Sequence, residues 1–133
     1  MNAMNLPGAG QRVVRTEVGH ALQFETDAHV RYFVEENPVL TRPDDTEVTI
    51  SLPAPASGTD IAAELTGATI ELSACTADGS LVVLFDTGTV LSVPPSPDFE
   101  SNVSAPGNVL VVSTPGGTIA AWNWPSTDEH GYP

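Results

Sequence analysis

The fold is decided by residues 69–93, which read TIELSACTADGSLVVLFDTGTVLSV. From Ala68 to Ala74 every second residue is apolar, and this period of two is typical of a strand with one buried face. The run from Leu81 to Phe85 is apolar at every position, which predicts a central strand buried on both faces. Asp78-Gly79 and Asp86-Thr87-Gly88 are turn signals between these runs. The stretch therefore predicts a three-stranded antiparallel meander.

The same alternation continues on both sides of the meander. It recurs over residues 22–25, 30–34 and 47–52, while residues 109–122 predict a final hairpin around a Pro-Gly-Gly turn. Only residues 60–65 have helical character, and they would form a short helix. We predict an all-β domain, a mainly antiparallel sheet or partly open barrel of about seven to nine strands with at most one short helix.

The charge of the chain is strongly acidic. Its 133 residues suit one domain, which we place at residues 11–124 between flexible ends at 1–10 and 125–133. Four Lys+Arg against 17 Asp+Glu give a net charge of −13, and all four arginines lie within residues 1–42. This balance excludes a protein that binds the nucleic-acid backbone and a polybasic membrane-binding module, because both work by neutralising anions. Residues 43–133 are acidic and contain no Lys or Arg. This pattern predicts either a basic protein partner or a proteome-wide compositional bias.

The sequence also predicts a compartment. No apolar run approaches the roughly 18 residues of a membrane-spanning helix, and the first residues lack the basic and apolar regions of a signal peptide. We therefore predict a soluble cytoplasmic protein.

The single cysteine, Cys75, excludes an internal disulfide and a cysteine-built zinc site. It lies on the polar side of its predicted strand, which indicates a small structural or exposed thiol.

One motif has the form of a catalytic signature. Leu84-Phe85-Asp86-Thr87-Gly88 matches the pattern of aspartic proteases, in which two carboxylates on tight turns share a proton and activate a water. A single motif per chain would require a homodimer with Asp86 as the catalytic residue. A three-residue hairpin loop, however, also favours Asp at its start and Gly at its left-handed last position. Little chain follows the flap-like Gly117, so we favour the hairpin interpretation.

No metal or cofactor site is predicted. His20, His29 and His130 form no ligand-spaced pair, and His29 is interpreted as a solvent-facing strand residue. Asp44-Asp45 is interpreted as an acidic turn, because no calcium-loop pattern follows it.

Two tryptophans are candidates for binding. Trp122 and Trp124 are two positions apart, so they share a face of the predicted last strand. They form either the edge of the core or an aromatic contact patch. An exposed pair would act as a binding anchor.

The later part of the chain resembles a family of small uncharacterised actinobacterial proteins with a domain of unknown function (family 6188). The shared pattern is Phe85-Asp86-Thr87-Gly88, then Val93-Pro94, then Phe99-Glu100, then the apolar strand and Pro-Gly-Gly of residues 109–117. The resemblance makes Phe99 and Glu100 candidate binding residues. This sequence departs from the family pattern at Asn102, where the family tends to carry tryptophan. A ligand that this tryptophan anchors in the family would lose that anchor here.

The resemblance implies no established activity. Members of the family are similar in size and acidity to immunity proteins of bacterial toxin systems, which is an analogy. We predict a non-enzymatic binding module, in its most concrete form an immunity-type inhibitor of a basic toxin. The alternatives are a homodimeric aspartic protease and a small-ligand barrel with an interior apolar pocket. The sequence leaves the oligomeric state open.

Overall fold

The protein is described by a computed structural model that covers residues 4–35, 38–50, 63–76, 80–94, 101–107, 109–113 and 119–122. Twelve strands lie in these ranges: β1 (Met4–Asn5), β2 (Val13–Val18), β3 (Leu22–Thr26), β4 (Arg31–Val34), β5 (Val39–Thr41), β6 (Glu47–Thr49), β7 (Ile70–Cys75), β8 (Leu81–Phe85), β9 (Val90–Val93), β10 (Ser101–Ala105), β11 (Val109–Ser113) and β12 (Ile119–Trp122). A single helical turn at 63–65 precedes β7.

The strands form two six-stranded antiparallel sheets. The first sheet has the order β1-β7-β8-β9-β5-β6, and the second has the order β12-β11-β10-β4-β3-β2. The predicted all-β, mainly antiparallel class is confirmed, as are the meander β7-β8-β9 and the final hairpin β11-β12. The number of strands exceeds the predicted seven to nine, because several strands in the first half of the chain are only two to four residues long.

The inner faces of the two sheets share one hydrophobic core. Phe24 of the second sheet meets Phe85 of the first, with ring centroids 6.2 Å apart. Both sheets also contribute side chains with no more than 1% exposure, among them Leu22, Val34, Leu40, Ile70, Val83, Leu91 and Val93. Burial of this apolar surface is the main force holding the sheets together, at about 25 cal/mol per Å².

The first segment of the chain joins the two sheets along one side. Leu6 donates its N–H to Ser73 O at 2.8 Å, and Val13 donates to Ala68 O at 2.8 Å. The segment therefore runs antiparallel to β7 before entering the second sheet as β2. Residues 4–10, which the sequence-based prediction placed in a flexible end, are hydrogen-bonded to the domain from Met4 onward.

A buried tyrosine fastens this segment, and we call Pro7, Gly8, Tyr32 and Ser73 the Tyr32 junction. The Tyr32 hydroxyl lies 2.7 Å from Pro7 O and 2.6 Å from Ser73 Oγ, so it bonds to the joining segment and to the first sheet. Gly8 has φ +114°, and a Cβ there would lie 2.4 Å from Tyr32 Oη. Glycine is therefore required both by the backbone angle and by the space.

A β-bulge between Ile70 and Leu72 corrects the prediction for β7. Strict alternation would place Leu72 inside and Cys75 on the polar side. The inserted residue shifts the phase, so Leu72 is 42% exposed while Cys75 is buried at 3% exposure. Ser73 turns inward for the same reason and meets the Tyr32 hydroxyl. A one-residue shift exchanges the two faces of a strand.

The prediction for β8 is right in position and wrong in burial. Strand β8 is an interior strand of the first sheet, between β7 and β9. Leu81, Val83 and Phe85 are buried, whereas Val82 and Leu84 are half-buried on the outer face. That face presents neighbouring apolar side chains such as Leu72 and Val90, which shield Val82 and Leu84 only in part.

Candidate functional site

The outer face of the second sheet carries a row of charged side chains. Cross-strand register places Arg15 opposite Glu25, Glu25 opposite Arg31, and Arg31 opposite Ser104. Residues directly opposite on neighbouring antiparallel strands have Cβ atoms about 5 Å apart. The row therefore runs across β2, β3, β4 and β10, with a carboxylate between two guanidinium groups.

Glu25 is the centre of this ion cluster. Its carboxylate bonds to Nη2 of Arg15, and its Oε1 lies 3.4 Å from Nε of Arg31. Oε2 lies 3.2 Å from Nδ1 of His29. The Glu25 side chain is only 12% exposed although it lies on the outer face, because these three groups cover it. The arginines themselves are open to solvent, at 61% and 67% exposure.

The cluster keeps Glu25 ionised. The hydrogen bond to His29, together with the charges of Arg31 and Arg15, holds the pKa of Glu25 below its ordinary value despite partial burial. His29 reaches the carboxylate from a turn residue with φ 68° rather than from a strand. The prediction of a solvent-facing strand histidine is therefore correct for its exposure and wrong for its backbone setting.

The row belongs to a groove of about 340 Å³, which we call the arginine groove. A second cross-strand row, Glu17–Gln23–Phe33–Asn102, lies beside the first. The groove is lined by Arg15, Glu17, Gln23, Phe24, Glu25, Arg31, Tyr32, Phe33, Asn102 and Ser104. Its outward-facing residues combine guanidinium, amide, hydroxyl and carboxylate groups with one half-buried aromatic ring. In contrast, a cavity between the sheets at Leu81 and Val103 measures only about 10 Å³.

The opposite electrostatic feature is an acidic end of the first sheet, formed by Asp44, Asp45, Glu47 and Asp86. The β5–β6 and β8–β9 turns adjoin there, since a Cβ at Gly88 would lie 3.0 Å from the Pro43 ring. All four acidic residues are exposed. Hydrogen bonds from Thr46 lower the pKa of Asp44, which keeps that carboxylate charged.

Arg42, which leads into the acidic turn, is engaged with a further acid. Its Nε and Nη2 bond to the two carboxylate oxygens of Glu64 at 2.8 and 2.9 Å. Bidentate pairing of this kind is the strong form of an arginine–carboxylate contact, and it lowers the pKa of Glu64. The Arg42 guanidinium therefore pairs with Glu64, and its charge also contributes to the lowered pKa of Asp44.

Asp86 stands at the start of the β8–β9 turn, as predicted. Phe85 N–H donates to Thr89 O at 2.9 Å, and Gly88 with φ +90° closes the three-residue loop. The Asp86 carboxylate accepts the Thr69 N–H at 3.0 Å, while its own N–H donates to Thr69 O at 2.8 Å. In this chain the aspartate therefore fastens the turn to the residue that precedes β7.

The structure brings the remaining predicted site residues together only in part. Trp122 lies in β12, where its backbone pairs with Leu110 of β11. Leu110 in turn pairs with Ser104, so the position of Trp122 continues the cross-strand row of the arginine groove. Trp124, Phe99 and Glu100 lie outside the described residues.

Sequence reasoning recognised the strands but missed the arginine groove. Part of the signal was present, because Glu25 and Arg31 occupy outward positions of two successive predicted strands, and Arg15 precedes them in the chain. Only the register aligns them into one row. Within the described ranges, no group of three or more His, Cys, Asp or Glu residues is placed to hold a metal ion. In the same part of the chain, no helix is both long and apolar enough to cross a membrane.

Comparison with known protein families gives a match. A family model with the description "Family of unknown function (DUF6188)" matches residues 4–123. Neither the curated proteins nor the solved structures contain a significant match. The matched range includes both strand rows of the arginine groove and the acidic end.

Proposed function

The chain belongs to this family of unknown function, DUF6188, and we propose that the protein is a non-enzymatic binding module whose acidic surface docks a basic protein partner. The observation that carries the proposal is the acidic end, where Asp44, Asp45, Glu47 and Asp86 project from two adjoining turns. Clustered charge of one sign raises the rate at which an oppositely charged partner associates.

The pairing of the arginines supports this proposal. Arg15 and Arg31 both contact Glu25, and Arg42 contacts Glu64. Three of the four arginines of the chain therefore lie against a carboxylate, although the Arg15 and Arg31 side chains stay more than half exposed. The exposed carboxylates of the acidic end are not among the acids in these contacts, and they contribute to the negative charge of a chain whose net charge is −13.

The most concrete form of the proposal is an immunity-type inhibitor that acts in the cytoplasm. Such a protein would cover a basic site on a toxin with its acidic end. Electrostatic docking of this kind makes association fast and sensitive to salt, since charges separated by more than about 10 Å are screened at 0.1 M ionic strength.

Affinity capture from the native organism tests the proposal. The tagged full chain is expected to enrich a basic protein at low salt and to release it at high salt. The variant Asp45→Asn/Glu47→Gln should recover much less of it. Asparagine keeps the positive φ of 69° at position 45 without strain, so the fold is retained.

The matched control is Glu17→Gln/Glu35→Gln, which removes the same charge away from the acidic end. Equal loss of capture in both double variants would show that only net charge matters and would contradict docking at the acidic end. Recovery of no basic protein at low salt would contradict the proposed function as a whole.

The protease alternative is separated from the binding module by two measurements on one sample. Light scattering gives the solution mass, and casein digestion at pH 4 to 5 gives the activity. A dimer that digests casein, and that loses this activity in Asp86→Asn, would replace the binding proposal. An inactive monomer would leave Asp86 with the turn-fastening role that its bonds to Thr69 describe.

A further inference from the structure

We propose that the arginine groove binds a carboxylate group of a small organic acid or of an acidic peptide segment, with Arg31 as the principal contact. The proposal goes beyond the basic partner of the acidic end, because it concerns the other sheet and a ligand of opposite charge. Its basis is the geometry of the two cross-strand rows on the outer face of the second sheet.

The guanidinium groups of Arg15 and Arg31 offer N–H donors on the outer face of the second sheet. A guanidinium carries five N–H donors in one plane. The contacts to Glu25 involve Nη2 of Arg15 and Nε of Arg31. Both arginine side chains are more than half exposed, at 61% and 67%, and both line the groove. Glu25 therefore orients the two guanidinium groups while leaving them accessible to a ligand carboxylate.

A ligand carboxylate would lie on the β4–β10 side of the groove. Glu17, at the β2 edge, would repel an anion, whereas Arg31 lies on β4 with β3 between them. The carboxylate of Glu25 on β3 is already paired with Arg15, Arg31 and His29. Neighbouring strands are about 4.8 Å apart, so a ligand beside β4 and β10 lies about 10 Å from the β2 edge. Ser104 is directly opposite Arg31, and Asn102 is opposite Phe33. The β4–β10 side therefore combines a cation, a hydroxyl and an amide.

The groove has the size and the lining of a small-ligand site. The groove volume of about 340 Å³ falls at the lower end of the range of about 300–1,000 Å³ typical of small-molecule sites. Phe33 contributes a half-buried aromatic surface next to the polar groups. A few polar groups around an apolar surface fix the orientation of a ligand, and this arrangement suits a compact acid or a short stretch of peptide.

The test uses the full chain, two acidic probes and one neutral probe. The probes are succinate, a hexapeptide of glutamate and a hexapeptide of glutamine, added to isotope-labelled protein in an NMR titration at low salt. We expect succinate or the glutamate peptide to shift the amide signals of β3, β4 and β10. Binding of succinate alone identifies a free acid as the source, and binding of the glutamate peptide alone identifies an acidic segment.

Arg31→Gln is expected to weaken the binding at least tenfold. The matched control is Arg12→Gln, which removes the same charge at an exposed position outside the groove lining, and it should retain binding within about twofold. Equal weakening by both variants would overturn the proposal, because long-range charge would then explain the binding. Equal binding of the glutamine peptide, or binding of neither acidic probe, would also overturn it.

The outcome is independent of the basic-partner proposal. Capture of a basic protein at the acidic end should be unaffected by Arg31→Gln, since Arg31 lies on the second sheet and the acidic end on the first. Failure of the titration with retained capture would reject the carboxylate site alone. Successful titration without capture would reject the basic partner alone.

Discussion

The two faces of the β3–β4 hairpin differ completely in chemistry although they are built from adjacent residues. On the inner face, the rings of Phe24 and Tyr32 stack with centroids 4.3 Å apart and an interplanar angle of 11°. On the outer face, the next cross-strand pair is Glu25 and Arg31, part of an ion cluster open to the arginine groove. One register determines both pairs, because side chains of successive residues point to opposite faces.

The comparison shows which face maintains the fold and which face is available for binding. The inner pair is buried, and Tyr32 belongs both to this pair and to the Tyr32 junction. There its hydroxyl bonds to Pro7 O and Ser73 Oγ, and no room is left for a methyl group at Gly8. The outer pair is held by charge in contact with water, where an ion pair contributes little to stability. Substitutions on the inner face should therefore change the free energy of unfolding, whereas substitutions on the outer face should change the affinity for a ligand.

The largest expected effect comes from Gly8→Ala, which adds one methyl group beside Tyr32. The new Cβ would lie 2.4 Å from Tyr32 Oη at a φ of +114°. Overpacking and backbone strain each cost about 1–3 kcal/mol, so we expect a loss of about 3 kcal/mol or more in the free energy of unfolding. Urea denaturation followed by tryptophan fluorescence measures this loss.

Gly10→Ala is the matched control for that variant. Gly10 also has a positive φ of +83°, but a Cβ there would meet nothing within 4 Å. Only the conformational cost of about 1 kcal/mol is then expected. Equal losses for Gly8→Ala and Gly10→Ala would show that close packing against Tyr32 does not determine the cost of a substitution at Gly8. The inner face would then not be the more sensitive of the two faces by this measure.

The next effect in size is that of Tyr32→Phe. The stacked ring is kept, but the hydroxyl that bonds to Pro7 O and Ser73 Oγ is removed. Leaving buried polar groups without a partner costs about 1–3 kcal/mol. We expect a loss in this range by urea denaturation at pH 8. A loss below a few tenths of a kcal/mol would mean that ring packing alone holds the junction.

Tyr32 also predicts a loss of stability in alkali. Burial raises the pKa of Tyr32 above its ordinary value of 10.0, so the unfolded chain releases this proton at a lower pH than the folded chain. The contribution is fully present below pH 10 and is lost as the pH rises above it. We expect the stability of the wild type to fall more steeply between pH 9 and 11 than that of Tyr32→Phe. Parallel curves would contradict this assignment.

The smallest effect on stability is expected for the outer face, with Glu25→Gln. The pKa of Glu25 is lowered by the bond to His29 and by Arg31 and Arg15, so its contribution is present above the ordinary value of 4.5 and is lost as the pH falls through its folded-state pKa. Glu25→Gln should flatten the acid limb of the stability curve and cost less than Tyr32→Phe at pH 7. A larger cost would make the ion cluster part of the structural framework.

Much of this fold could be predicted from alternation and turn residues. The meander of residues 69–93 has the predicted strands, and Gly88 takes the left-handed position that the three-residue loop requires. The bulge in β7 could not be predicted, because nothing in the run from Ile70 to Cys75 marks an inserted residue. That one insertion exchanged the faces of Leu72 and Cys75.

The sites were less predictable than the strands, because they depend on contacts between distant parts of the chain. Arg15, Glu25 and Arg31 are separated by turns, and only the β2–β3–β4 register makes them a single row. The requirement for glycine at position 8 arises in part from Tyr32, whose hydroxyl bonds to residue 7 across 25 positions of sequence. A single sequence does not contain these pairings in any local pattern.

The Tyr32 junction has a kinetic consequence. Its two hydrogen bonds connect residues 25 and 41 positions apart. Forming the junction therefore brings together parts of the chain that are distant in sequence, at an entropic cost that grows with the length of the loop. Interactions that form after the transition state act mainly on the unfolding rate. We therefore expect the first segment to dock onto β7 late in folding, so that the junction acts mainly on the rate at which the native protein unfolds.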